Sequence, residues 1–350
     1  MSKKTIYLDR NESYYGPAPA CFDKLKNADK SLLSWYTKAH TVGVKSVLTA
    51  RLSEDFNIPE KQVVLGYGAE DLLKQSVQCY LSQGSKLMIP SHSWWYYKEL
   101  ANEVNGENIE FPMIEGEDSY YYDVEKMLEL YKEEKPEMVL ISSPNNPTGN
   151  SISFEDLTRI LDNTKDSIVV FDEAYGHSSE NDKSKELLDK YPNLIIVRTF
   201  SKYYALAGVR IGYGFIGANL QGMDKFTKRC LGYNRISEEI ALAALDSPEY
   251  YEKIAQKMNE DKEKYYNELN ELEGFKVFKS EANFILVEIP EEIKASLKEY
   301  LLEKGLQIKF MNEKLLNHHL RITLGKRKHN KRLINAIKEF VQSEAMVQRV

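Results

Sequence analysis

Short apolar runs alternate with helical patterns through the first two thirds of the chain. The runs at 62–66, 86–90, 108–111, 138–142, 167–171, 194–197 and 209–216 predict strands, and the segments 69–81, 94–104 and 123–133 predict helices. Nearly continuous apolar strands between helices are typical of a mostly parallel sheet that is covered on both faces. We therefore predict an α/β fold whose ligands bind beyond the carboxyl ends of the strands.

The pattern changes after Asn219. A long helical stretch runs from about 237 to 272, with Pro248 as its one clear interruption. Strands at 275–278, 283–288 and 320–324 follow, together with a helix near 293–304 and a last helix at the end of the chain. This order predicts a smaller α+β domain.

Composition narrows the class of protein. The 350 residues are 42% hydrophobic and 29% charged with a net charge of −6, which is typical of a globular protein and does not favour nucleic acid as a partner. No segment approaches the roughly 18 apolar residues that span a membrane, and the start has no apolar signal core. The widely spaced Cys21, Cys79 and Cys230 indicate neither a disulfide framework nor a metal cluster. A reducing, cytoplasmic location is therefore predicted.

Two loops that follow predicted strands suit a phosphorylated ring. Gly66 and Gly68 precede a predicted helix start at Ala69, where free backbone amides can bind phosphate. In the second loop, residues 143–149 (SPNNPTG), Pro147 holds Asn146 extended, so its side-chain amide can bond a ring oxygen without adding charge. The alternatives are an ordinary strand–helix turn and a plain proline–glycine loop.

Asp172 lies at the end of a very apolar strand. A carboxylate there is costly unless it has a cationic partner. A protonated pyridine nitrogen would serve, and the pair would make the ring a better electron sink. Tyr175 is close enough along the chain to reach the phenolic oxygen of such a ring. The alternative is an aspartate that caps a helix.

Lys202 completes the chemistry. Its amine can form an imine with an aldehyde, while the adjacent Ser201 and the following Arg210 can hold a phosphate. Most lysines are solvated surface charges, so Lys202 indicates cofactor chemistry only in combination with the upstream motifs.

Together these motifs resemble the fold-type I pyridoxal-phosphate enzymes of the class I/II aminotransferase superfamily, and most closely the histidinol-phosphate aminotransferase branch. Residues 8–17 (LDRNESYYGP) are similar to that branch's LDxNENPYGP start, and the motifs at 68–71, 143–149, 172–175, 201–202, 282–286 and 320–325 follow in the family's order. The resemblance covers nearly the whole chain. It implies pyridoxal 5'-phosphate as the cofactor, an arm of residues 1–30 that joins the small domain, a large domain over 31–235 and a small domain over 236–350.

The resemblance also implies a role for each matching residue. Lys202 bonds covalently to the cofactor and then acts as general base and acid on the substrate α-carbon. Asp172 pairs with the ring nitrogen, and Asn146 and Tyr175 bond the ring oxygen. The phosphate site comprises Gly68, Ala69, Glu70, Thr199, Ser201 and Arg210.

For the substrate, Arg321 is expected to clamp a carboxylate with two parallel bonds, and Tyr15, Asn146 and Lys309 complete the expected set. Tyr36 stands where the family has a tyrosine that reaches the phosphate from the neighbouring subunit. This implies a homodimer with shared active sites, and a core tyrosine is the alternative.

The aromatic side chain that stacks on the ring is expected to be Trp94, with His92 and Trp95 as rivals. For one of the two tryptophans, helix packing is the alternative explanation.

Three departures from the family pattern lie where the substrate side chain is recognised. Ser13 and Tyr14 replace an Asn-Pro pair, Gly232 replaces a proline, and Lys309 stands where an arginine is frequent. Lysine is a point charge and does not reproduce a bidentate fork. Lys309, Arg235 and the run 326–328 are candidates for binding a substrate phosphate, with surface solvation as the alternative for the run.

The expected function is an aminotransferase that moves an amino group between a small amine or amino acid, phosphorylated or not, and a 2-oxo acid. Decarboxylation of a phosphorylated amino acid is the alternative, because a sister branch shares these motifs and the ring also stabilises the carbanion left by carbon dioxide. A non-catalytic cofactor-binding regulator is the alternative of another class. It predicts a DNA-binding extension or the loss of Lys202 or Asp172, and neither is seen.

Overall fold

The described part of the chain forms two large β-sheets and a separate two-stranded sheet. The computed structural model describes residues 5–176 and 182–347. The strands in these ranges are β1 (Ile6–Leu8), β2 (Val63–Gly66), β3 (Lys86–Pro90), β4 (Glu107–Phe111), β5 (Met113–Glu115), β6 (Tyr120–Tyr122), β7 (Met138–Ser142), β8 (Ile168–Asp172), β9 (Leu194–Thr199), β10 (Gly212–Ile216), β11 (Lys276–Phe278), β12 (Phe284–Glu288), β13 (Leu306–Phe310) and β14 (His319–Thr323).

Helices cover both sheets. Those in the described ranges are α1 (Pro19–Lys26), α2 (Ser31–Ser34), α3 (Val47–Phe56), α4 (Ala69–Tyr80), α5 (Tyr96–Asn102), α6 (Val124–Glu134), α7 (Phe154–Asn163), α8 (Ser184–Lys190), α9 (Asp224–Thr227), α10 (Arg235–Leu245), α11 (Pro248–Leu269), α12 (Lys294–Glu303) and α13 (Arg327–Val347). None of the described helices is both long and apolar enough to cross a membrane.

The larger sheet has the strand order β2-β10-β9-β8-β7-β3-β4. Strand β10 runs antiparallel to both of its neighbours, and the other pairings are parallel. Val169 and Phe171 point into one hydrophobic core, whereas Val170 between them points into the other. This alternation buries both faces, which explains the nearly continuous apolar runs in the sequence.

The smaller sheet has the order β1-β13-β14-β12-β11 and its own core. Strand β1 pairs in parallel with β13, so the N-terminal segment joins the sheet built from the C-terminal part of the chain. Helix α10 packs Ile240 and Ala241 into a core of the larger sheet. The expected domain boundary at 235 stays a prediction.

The predicted α/β fold is confirmed, and the strands over 86–90 and 138–142 have the predicted bounds. The predicted strand 209–216 begins only at Gly212. Residues Ala207–Val209 form a 3₁₀ turn, and Arg210 has a left-handed backbone with a φ of 55°. The predicted break at Pro248 is present, because α10 ends at Leu245 and α11 begins at the proline.

Candidate active site

A cavity of about 660 Å³ lies between the two sheets. Its lining includes residues at or just beyond the carboxyl ends of β7, β8 and β9, together with side chains of β13 and β14. The larger sheet thus presents loop residues at one edge, as predicted for parallel strands. The predicted site residues that line the cavity are Ala69, Glu70, Trp94, Asn146, Asp172, Tyr175, Thr199, Ser201, Lys202, Arg210, Lys309 and Arg321.

One end of the cavity has the features of a phosphate site. Helix α4 starts at Ala69 without a side-chain cap, behind Gly68 with a φ of +94°. A Cβ at Gly68 would lie 2.8 Å from Arg210 Nη2, so this glycine admits the guanidinium. Arg210 in turn donates to the Tyr67 carbonyl at 3.0 Å, and Thr199 Oγ1 lies 2.9 Å from Ser201 Oγ. Free helix amides, hydroxyls and a guanidinium together suit a phosphate.

Asp172 also lines the cavity and is 3% exposed. Its Oδ1 accepts the Ala174 backbone N–H at 2.8 Å, and its Oδ2 accepts the Tyr97 hydroxyl at 2.6 Å. Burial raises the pKa of Asp172 to about 6, although both hydrogen bonds oppose the shift. No ion pair to Asp172 occurs among the described residues, so this buried carboxylate would gain from a cationic partner.

Lys202 lies between the N-terminal segment and Tyr175. Its Nζ is 3.4 Å from the Arg10 carbonyl and 3.3 Å from the Asn11 carbonyl. The same atom lies 5.5 Å from the centre of the Tyr175 ring, and the Tyr175 hydroxyl accepts the Asn11 amide at 2.9 Å. The amine thus has only neutral acceptors in these contacts.

Asn146 and Arg321 connect the two sheets. Arg321 Nη1 donates to Asn146 Oδ1 at 2.6 Å, and Nη2 donates to the Asp9 carbonyl at 2.9 Å. This arrangement leaves the Asn146 amide N–H₂ available for a ring oxygen. Burial lowers the pKa of Arg321, and its Nε has no hydrogen-bond acceptor among the described residues.

Four predicted or rival residues are not part of the cavity lining. Gly68 supports the cavity without lining it, and Tyr36 is 68% exposed outside it. The Tyr15 ring lies 5.8 Å from the Lys257 amine and does not reach the cavity. The His92 ring packs at a tilt against Tyr120 with ring centres 5.3 Å apart, whereas the expected Trp94 and its rival Trp95 both line the cavity.

The comparisons with known proteins agree with this geometry. A family model described as aminotransferase class I and II matches residues 3–337. The chain belongs to that family. It is 32% identical to histidinol-phosphate aminotransferase 2 of Archaeoglobus fulgidus over 97% of this chain and 94% of the relative. It is 29% identical to histidinol-phosphate aminotransferase of Ruminiclostridium cellulolyticum over 95% of this chain and 91% of the relative.

A similar fold occurs in the crystal structure of histidinol-phosphate aminotransferase from Sinorhizobium meliloti in complex with pyridoxal-5'-phosphate. The TM-score is 0.86 at 23% identity, with 97% of this chain and 92% of that chain covered. The predicted family, enzyme class and cofactor are confirmed: this protein is an aminotransferase that uses pyridoxal phosphate.

The cavity fits that cofactor. Gly68 opens the phosphate end beside Arg210, and Asp172 is a buried carboxylate that a protonated ring nitrogen would neutralise. Lys202 would be the covalent attachment point and would move a proton at the substrate α-carbon. When bound, the cofactor supplies an electron-poor ring that stabilises negative charge at that carbon.

Three contributors to this aminotransferase site were not predicted from sequence. Tyr97 bonds Asp172 from helix α5, and Asp9 and Glu313 add two carboxylates to the lining. The tyrosine-rich stretch gave no signal that singled out Tyr97. Asp9 belongs to the start motif at residues 8–17, so it is the only one of these three residues for which the sequence contained a signal.

The backbone conformation at position 232 explains why this residue is a glycine. Its φ is +85°, which a proline cannot adopt, and a Cβ there would collide with the Thr37 side chain. The positive φ and the close approach of Thr37 therefore account for glycine in place of the family's proline.

Proposed function

We propose that this aminotransferase takes a phosphorylated amine of the histidinol phosphate class as amino donor and a 2-oxo acid as acceptor. One relationship carries the proposal: Lys309 on β13 and Arg321 on β14 are direct cross-strand partners. Both residues line the cavity. Like charges at directly opposite positions destabilise a sheet, because their side chains are neighbours on one face. A dianionic phosphate bound between them would reverse that repulsion.

The other lining charges support the same class of substrate. Asp9 and Glu313 present carboxylates to the cavity. Asp9 Oδ1 is buried without a donor among the described residues, and Oδ2 accepts Gln307 Nε2 at 2.8 Å. A substrate with a phosphate at one end and an N–H-bearing ring at the other would match this mixture of cations and carboxylates. The two relatives named above are histidinol-phosphate aminotransferases.

The 2-oxo acid would use the same cations in the second half of the reaction. Its carboxylate would be bound by Arg321, whose guanidinium has an unpaired Nε in the described chain. Lys202 would return the proton to the α-carbon, acting as acid where it had acted as base.

A homodimer with shared active sites is part of the proposal. Leu33, Trp35, Tyr36 and Val42 lie within ten residues of one another along the chain and are 76%, 60%, 68% and 75% exposed, respectively. Arg235 holds this segment in place by donating to the Ser31 carbonyl at 2.7 Å. Large apolar side chains that are exposed together indicate an interface. The partner's Tyr36 would then reach the phosphate end, and a cytoplasmic location stays a prediction from the cysteines.

The test is a half-reaction screen of the purified enzyme. Histidinol phosphate and histidinol differ only in the phosphate, so the spectral change of the cofactor on mixing measures its contribution. We expect the phosphorylated amine to be preferred by at least about 100-fold in kcat/KM. Lys309→Met should reduce this preference about tenfold through KM, the effect of losing about 1.4 kcal/mol of charge-assisted binding. Lys309→Arg should keep the preference, and Lys314→Met, at an exposed neighbour outside the cavity, is the control.

Equal conversion of the two amines would contradict the phosphate assignment. Carbon dioxide release from a phosphorylated amino acid, without conversion of any amine, would instead establish the decarboxylase alternative.

A further inference from the structure

A second cleft of about 590 Å³ lies away from the active site and shares no lining residue with it. One wall consists of α11 and the β11–β12 connection, and the other consists of β6 and the loop after the 143–149 segment. The two walls are tied together, because the backbone N–H of Glu281 donates to the Gly149 carbonyl at 2.8 Å. The cleft therefore lies next to the loop that carries Asn146.

Lys262 is a buried cation in this cleft. The residue is only 5% exposed, and its Nζ donates to Asn259 Oδ1 at 3.2 Å. No carboxylate lies within ion-pair distance of it among the described residues. Burial lowers the pKa of Lys262 to about 8, while the carboxylates of Glu281 and Glu263 oppose the shift from further away. A buried ammonium group of this kind gains from an anion that comes close.

Asn150 adds a donor that lacks an acceptor. Its orientation follows from a chain of bonds: Asn145 Nδ2 donates to the His92 carbonyl and to Thr148 Oγ1, each at 2.6 Å. The Thr148 hydroxyl must then donate onward, and it does so to Asn150 Oδ1 at 2.6 Å. Asn150 Nδ2 is consequently left buried and without an acceptor in the described part of the chain.

The outer part of the cleft is negatively charged, in contrast to the buried ammonium group of Lys262. Glu263 and Glu281 are exposed lining residues, whereas Lys262 and Asn150 are buried. The other two charged residues that line the cleft, Lys279 and Asp118, form an ion pair at 2.5 Å and neutralise each other. A simple anion would be repelled at the mouth, but a molecule that carries both a carboxylate and an ammonium group matches the buried cation and the outer carboxylates.

We propose that this cleft is a binding site for a free α-amino acid. Its carboxylate would bind Lys262 and Asn150 at the bottom, and its ammonium group would face Glu263 and Glu281 at the mouth. The bonds from Asn150 through Thr148 lead to Asn145, the neighbour of Asn146. A bound amino acid therefore holds the loop that presents Asn146 to the cofactor.

Lys262 itself provides a readout that the active site does not share. At pH 8 about half of an amine with this pKa is unprotonated and reacts with an acetylating reagent. The holoenzyme would be labelled in the presence of each common L-amino acid, and labelling at Lys262 would be compared by peptide mass spectrometry with labelling at the more exposed Lys264. We expect at least one amino acid to slow labelling of Lys262 about tenfold and to leave Lys264 unchanged.

Two variants locate the effect. The protection should persist in Arg321→Met, which removes the carboxylate clamp of the active site. It should require about tenfold more ligand in Glu281→Gln, a change at an exposed position. Acetate and inorganic phosphate are the matched anions, and they should protect Lys262 weakly.

Three results would overturn the proposal. They are no protection by any amino acid, equal protection by acetate or phosphate, and protection that disappears in Arg321→Met. The last result would attribute the effect to the active site.

Discussion

The Tyr97 hydroxyl donates to Asp172 Oδ2 at 2.6 Å across 75 residues of sequence. Tyr97 is 2% exposed, and its ring packs edge-on against Trp94 with centres 5.9 Å apart. The tyrosine thus orients a carboxylate that would otherwise rotate in an apolar setting, and it favours the ionised form of Asp172. It is a positioning residue that acts through Asp172.

Tyr97→Phe removes this donor and keeps the ring. We expect cofactor affinity of the apoenzyme to fall about tenfold, equivalent to one buried charge-assisted hydrogen bond of roughly 1.5 kcal/mol. Cofactor fluorescence titration at several pH values measures this, and the pH below which affinity declines should move upward. Tyr96→Phe, on the same helix but outside the cavity lining, is the control. Unchanged affinity and pH profile in Tyr97→Phe would remove Tyr97 from the site.

Asp172→Asn tests the burial of the carboxylate in the apoenzyme. The folded-state pKa of about 6 lies above the unfolded value of roughly 3.9, so the folded protein binds this proton more tightly. The resulting stability is present below pH 4 and is lost as pH rises through 6. The variant should therefore gain about 1.4 kcal/mol of unfolding free energy relative to the parent between pH 5 and pH 8.

Denaturant unfolding at the two pH values gives this difference, and Asp166→Asn at an exposed carboxyl is the control. A difference that grows toward low pH would show that Asp172 is not held as described.

Gly68→Ala tests whether the close approach of Arg210 to Gly68 affects cofactor binding, separately from the effect of backbone strain on stability. Gly68 and Gly84 both have positive φ, at +94° and +80°, but only Gly68 would place a Cβ 2.8 Å from the guanidinium. Both alanine variants should lose about 1–3 kcal/mol of stability from the strained backbone. Only Gly68→Ala should also lose cofactor affinity, by tenfold or more. Parallel melting and cofactor titration distinguish the two effects, and equal affinities would exclude the proposed phosphate cradle.

Subunit mixing tests the shared active site. Lys202→Ala should abolish turnover and the absorbance of lysine-bound cofactor, and Tyr36→Ala should retain cofactor poorly. Refolding the two variants together should restore activity, because one site of each mixed dimer then has both residues. A mixture of Lys202→Ala with the Lys202→Ala/Tyr36→Ala double variant contains no site with both residues and should stay inactive. A monomer in sedimentation analysis, or no recovery on mixing, would contradict sharing.

Much of the site could be predicted because its residues follow buried strands. Asp172 ends β8, Asn146 follows β7, and Lys202 follows β9. Parallel strands bring their carboxyl ends to one edge, so the order of motifs along the sequence already implied their proximity. The same local signals predicted the helix start at Ala69, because Gly68 and the polar residues after it are readable without tertiary contacts.

Other features of the site depend on contacts between residues that are far apart in the sequence. Lys309 and Arg321 became partners only through the antiparallel register of β13 and β14, and a shift of one residue would have placed them on opposite faces. Tyr15 belonged to a recognised motif, yet its ring packs beside Lys257 and not in the cavity. Motif membership fixed its position in the chain and not the direction of its side chain.

The sequence by itself determined the α/β fold and the family, and it singled out the residues expected to hold the cofactor, because these depend on apolar periodicity and on short motifs at strand ends. The tertiary structure decided which charges line the cavity, that Tyr97 bonds Asp172, and that Lys262 and Asn150 lie buried in a second cleft. Hydrogen bonds and like-charge contacts between remote segments have no periodic signature, since they arise only when the two sheets pack against each other.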